Sequence, residues 1–136
     1  MTQQLTPNQT QWIKALRNPR YKQTTACLRN ENGFCCLGVA ANEFLTDDIK
    51  VVEYNDLSDH HSSSPKQKAW SYDGQKCFAP YYVVKALSLR SDVGSCQSFD
   101  SPTRSLTDLN DCGYTFSEIA DLVETNPEYY FEDESA

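Results

Sequence analysis

What the chain lacks sets its first limits. No apolar run approaches the length needed to cross a bilayer, so no membrane segment is predicted. The opening residues, MTQQLTPNQTQWIK, hold no apolar h-region, so no signal peptide is predicted either. The five glycines are scattered and form no phosphate-cradling loop. There are two histidines, His60 and His61, and the six cysteines contain no C-x-x-C pair. Structural zinc draws its ligands from close pairs, so no metal is predicted, and no cofactor. Without an export signal, the cysteines are expected as thiols in a reducing cytoplasm.

Each end also lacks charge of one sign. Residues 1–30 carry Lys14, Arg17, Arg20, Lys22 and Arg29 but no acid. Beyond Arg104 there is no Lys or Arg, while acids run from Asp108 to Glu134. The net charge of −7 disfavours direct nucleic-acid binding, which draws its affinity from clustered cations on phosphates. Two readings of the split stand: the two ends attract each other, or one pole meets a charged partner.

What is present describes one α+β domain, mostly helical, with a small antiparallel sheet. The globular part is predicted over residues 1–127, with 128–136 as an acidic C-terminal tail. Thr6-Pro7-Asn8-Gln9 carries a capping box and an N-terminal proline, and Trp12, Ile13 and Leu16 share the face of the helix that follows. Thr25–Arg29 reads as a strand that turns at Asn30–Gly33 and returns at Phe34-Cys35. Cys36–Leu45 is the central helix, with Leu37, Ala40, Ala41, Phe44 and Leu45 in a stripe. Gly38 costs that helix roughly 1 kcal/mol of propensity, which predicts close approach of another backbone. Ile49–Tyr54 is a predicted strand, 55–68 a surface loop, and Trp70–Phe78 a hairpin about Asp73-Gly74. Pro80 opens a helix through Val83, Val84 and Leu87, and 92–103 is a second loop. Ser105–Cys112 is a short helix closed by Gly113. Thr115-Phe116-Ser117-Glu118 is a second capping box, followed by the stripe Phe116, Ile119, Ala120 and Val123.

Two stretches carry a resemblance. The first is Trp12-Ile13-Lys14-Ala15-Leu16-Arg17, then Tyr21-Lys22-Gln23, then Phe34-Cys35-Cys36-Leu37-Gly38-Val39. The second is Leu106-Thr107-Asp108-Leu109-Asn110-Asp111, then Gly113, then Phe116-Ser117-Glu118-Ile119-Ala120-Asp121. This order resembles a family of small uncharacterised proteins encoded by tailed bacteriophages. The resemblance covers both ends, about half the chain, and residues 46–103 lie outside it. It departs at Ala40-Ala41-Asn42, where the family often has Leu-Cys-Asp. It implies an accessory phage protein in the cytoplasm of an infected bacterium, and it transfers no catalytic residues.

Three functions are carried forward. The leading one is a non-enzymatic accessory protein that binds and modulates a host bacterial protein. Tyr81, Tyr82, Tyr129 and Tyr130 are its expected aromatic contacts, because neighbouring aromatics cannot all face one core, and Glu118 and Asp121 its acidic ones. The alternative from enzymology is a cysteine hydrolase. Cys35 or Cys36 at a helix N-terminus would be the nucleophile and His60 or His61 its base. The third is a protein that sequesters a small anionic ligand such as a nucleotide on Arg17, Arg20, Lys22 and Arg29.

Overall fold

The computed structural model describes residues 4–25, 27–56, 67–93 and 105–132. It is an α+β domain of helices around a small antiparallel sheet. Helix α1 spans Pro7–Leu16 and α2 Cys36–Glu43; α3 is Tyr81–Leu87, α4 Leu106–Asp111, α5 Phe116–Thr125 and α6 Pro127–Tyr130. Strands β1 (Arg29–Asn30), β2 (Gly33–Phe34), β3 (Val51–Asp56) and β4 (Gln67–Tyr72) form one sheet in the order β2-β1-β4-β3, all pairs antiparallel.

Both capping boxes form. Thr6 Oγ1 accepts the N–H of Gln9 at 3.1 Å, and Gln9 Oε1 accepts the N–H of Thr6 at 3.0 Å. Gln9 is buried, and its Nε2 donates to the carbonyl of Leu87 at 2.8 Å, so the cap also ties α1 to the end of α3. Thr115 and Glu118 repeat the reciprocal pair at the start of α5. The predicted stripe of α5, Phe116, Ile119, Ala120 and Val123, is its buried face.

Helix α2 is the centre of the molecule. Cys36, Leu37, Val39, Ala40 and Ala41 are fully buried, so it meets neighbours on every side. Gly38 explains how the chain packs so closely there: a Cβ at this position would collide with the carbonyl of Leu28. Around α2 the core is closed by Trp12, Leu28, Val83, Leu87, Leu106, Ile119 and Phe131.

Several sequence expectations shift. The arms about Asn30–Gly33 are two residues each, because Cys35 already caps α2: its Sγ accepts the N–H of Gly38 at 3.3 Å. The strand placed at Ile49–Tyr54 slides to Val51–Asp56, after a turn in which Ile49 N–H donates to Thr46 O at 3.1 Å. The Asp73-Gly74 turn forms with φ of 51° and 83°, but its return arm is not a strand and meets β4 through the isolated bridge Tyr72–Gln75. β4 is already paired on both edges, with β3 and β1, so the chain leaves the sheet there. The loop placed at 55–68 narrows, since Asn55, Asp56, Gln67 and Lys68 belong to β3 and β4. Residues 57–66 and most of the 92–103 loop lie outside the described residues.

The largest correction concerns the tail expected from residue 128. Pro127 starts a one-turn helix that returns the chain to the core, where Tyr130 is 4% and Phe131 0% exposed. Phe131 bridges Leu89 in backbone pairing, and its ring meets Trp12 edge-on at 6.2 Å. The packed body therefore runs through Phe131.

Candidate functional site

The cysteines at the start of α2 occupy the helix N-terminus as expected. Cys35 and Cys36 are buried. Burial pushes the Cys35 thiol up to about 12, against the smaller opposing effect of the Gly38 and Leu37 backbone N–H groups. Burial likewise holds the Cys36 thiol well above its ordinary range, and its Sγ donates to Leu106 O at 3.5 Å. A nucleophile works as thiolate, and this setting disfavours thiolate. The partners proposed for them, His60 and His61, lie outside the described residues.

Three of the four cations proposed for an anion are engaged within the chain. Arg17 reaches from the end of α1 to α5, where it meets Asp121 at 2.6 Å and Glu124 at 3.1 Å. Arg20 turns to Glu43 at the end of α2, 2.7 Å away, and donates to Tyr21 Oη at 3.0 Å. Arg29 lies on the sheet, its guanidinium over the rings of Trp70 and Phe34 at 4.4 and 5.1 Å, and donates to Tyr72 Oη at 3.3 Å. Lys22 is exposed, and its backbone carbonyl accepts the N–H of Phe34 at 2.8 Å. The Arg17 contacts are the attraction between the ends that the charge split allowed.

Glu43 was not singled out from the sequence, yet it centres a polar cluster. Its carboxylate accepts Tyr21 Oη–H and Arg20, and at 3.4 Å Gln11 Nε2; Asn42 Nδ2 donates to Tyr21 Oη at 2.9 Å. Desolvation raises the Glu43 pKa, but the hydrogen bonds from Tyr21, Gln11 and Arg20 together outweigh it and leave the carboxyl below its ordinary value. Desolvation and the hydrogen bond to Glu43 raise the Tyr21 hydroxyl. Arg20 and Glu43 edge an open cleft of about 790 Å³ along α1, with Leu5, Gln11 and Lys14 on its walls. No sequence pattern joins these residues, because they come from three separate segments.

The aromatic residues divide. Tyr81, the first residue of α3, is 71% exposed. Tyr82 is half-buried and donates to Ala41 O at 2.6 Å. Tyr129 is partly buried against the core, and Tyr130 is inside it, which removes Tyr130 as a contact residue. Glu118 and Asp121 lie exposed on α5, but Glu118 caps that helix and Asp121 holds Arg17. Sequence reading missed Phe78, 47% exposed and three residues before Tyr81, because it placed this residue at the end of a hairpin arm that does not form.

Among the described residues no group of three or more His, Cys, Asp or Glu side chains is placed to hold a metal ion. Among them, too, no helix is long and apolar enough to cross a membrane. No curated protein and no solved structure matches the chain. One family model matches residues 1–127, and the chain therefore belongs to the family described as a domain of unknown function, DUF8296.

Proposed function

We propose that this is a non-enzymatic accessory protein of phage type, which binds a host protein in the bacterial cytoplasm and alters its action. The observation that carries the reading is Tyr81, whose ring stands 71% exposed at the head of α3 with Phe78 beside it in sequence. Exposed aromatics anchor protein interfaces, since they bury a large apolar area at little cost in side-chain freedom. Of the other candidate groups, the α2 thiols are buried, and Arg17 and Arg20 are held by carboxylates. The phage resemblance of both ends supplies the setting.

The test is affinity purification of the tagged chain from bacterial lysate, followed by binding of the purified pair. A stoichiometric host protein should be retained, and Tyr81→Ala should weaken it by about 2 kcal/mol, roughly thirtyfold in Kd. Cys35→Ser should leave affinity unchanged wherever the variant folds. Retention of no host protein, or a partner indifferent to both Tyr81→Ala and Phe78→Ala, would overturn the proposal.

A further inference from the structure

A second set of thiols lies next to Phe78. A cavity of about 230 Å³ is lined by Cys27, Cys35 and Cys77, with Phe78, Asp108 and Asp111 completing much of its wall. Cys27 is 4% exposed, whereas Cys77 faces solvent. We propose that Cys27 and Cys77 form a reversible disulfide, making the mouth of this cavity a thiol-modification site.

The geometry begins in the backbone. Leu28 N–H donates to Lys76 O at 2.8 Å. That bond joins the peptide linking Cys27 to Leu28 with the peptide linking Lys76 to Cys77. A disulfide needs Cα atoms roughly 4.4–6.8 Å apart. This hydrogen bond brings the backbones of the two cysteines side by side, and both residues line the same cavity. Cys35 belongs to that cavity too, but its Sγ caps α2 by accepting the N–H of Gly38, and among the described residues it has no such backbone link to the segment of Cys77. Cys77 is the thiol a reagent meets first, and Cys27 is its near neighbour behind it.

The route that fits is exchange with a low-molecular-weight disulfide. The Cys77 sulfur attacks one sulfur of that disulfide, whose S–S bond breaks and releases one small thiol; the Cys77 proton leaves with it. The Cys27 sulfur then attacks Cys77 in the mixed disulfide and expels the second small thiol, which takes the Cys27 proton. Two protein thiols are oxidised and one external disulfide is reduced to two thiols. The product ties the segment ahead of α3 to the entry of β1.

The experiment incubates the full chain with oxidised and reduced glutathione in varied ratio, then measures intact mass and maps peptides. The wild type should lose two hydrogens with a Cys27–Cys77 link, and excess reduced glutathione should restore them. Cys77→Ser, at an exposed site and checked by circular dichroism, should lose the cross-link, and Cys112→Ser should keep it. A wild type that stops at a glutathione adduct on Cys77, or whose link maps to Cys96 or Cys112, would overturn the proposal.

Discussion

The side chain of Asn110 caps the central helix from 74 residues away: its Oδ1 accepts the N–H of Cys36 at 3.1 Å. The same oxygen accepts Gln23 Nε2 at 2.9 Å, and its Nδ2 donates to Thr24 O at 2.8 Å. Asn110 is 1% exposed, so these hydrogen bonds are shielded from bulk water. Asn110→Ala should cost about 3 kcal/mol, the penalty for leaving buried polar groups unpaired. Asn110→Asp should also destabilise, since a carboxylate cannot donate to Thr24 O. Urea denaturation of both variants measures this, and a loss below about 1 kcal/mol would refute the capping role.

Gly38 and Gly74 are demanding for different reasons. Gly38→Ala should gain about 1 kcal/mol of helix propensity but lose more, because the new Cβ strikes the Leu28 carbonyl. A net loss of about 2 kcal/mol or more is expected. Gly74→Ala meets open space and pays only for its φ of 83°, about 1 kcal/mol. Thermal melts of the two variants should rank them in that order.

Phe131 separates a packed C-terminus from a frayed one. Phe131→Ala should cost about 4 kcal/mol through lost burial and the cavity beside Trp12. A tail residue would change stability by less than about 0.5 kcal/mol. Trp12 fluorescence through a denaturant titration reads the difference.

Stability should fall toward both pH extremes. The Glu43 carboxyl is lowered on folding, so its contribution is present above its ordinary value of 4.5 and is lost as pH drops through the folded value. The Cys35 thiol is raised by burial from 9.0 to about 12, so its contribution is complete below 9.0 and is lost as pH climbs toward 12. Cys36 and Tyr21 shift in the same direction and steepen the alkaline limb. Glu43→Gln should flatten the acid limb and leave the alkaline one in place.

Much of the scaffold was legible because its signals are local. Thr6 with Gln9, and Thr115 with Glu118, specify helix starts within one turn, and both starts are where the residues place them. Gly38 was legible as a close approach because glycine is costly in a helix. The candidate site was legible only in pieces. Nothing in a window of sequence says that Asn110 reaches Cys36, that Glu43 collects Arg20, Tyr21 and Gln11, or that Cys77 lies beside Cys27. Those relations exist only after the chain has folded. The Tyr129-Tyr130-Phe131 run misled for a related reason: adjacent aromatics suggested exposure, but the turn at Pro127 rotates Tyr130 and Phe131 inward.

The contact of Trp12 with Phe131 has a consequence for synthesis. The two rings lie far apart in sequence, so in a nascent chain Trp12 lacks its edge-on partner until Phe131 has left the ribosome. Until then α1 and α2 expose apolar faces that only distant segments cover. Closing so long a loop is entropically late and slow. A chain halted before Phe131 would be a client for chaperones rather than a smaller version of the protein.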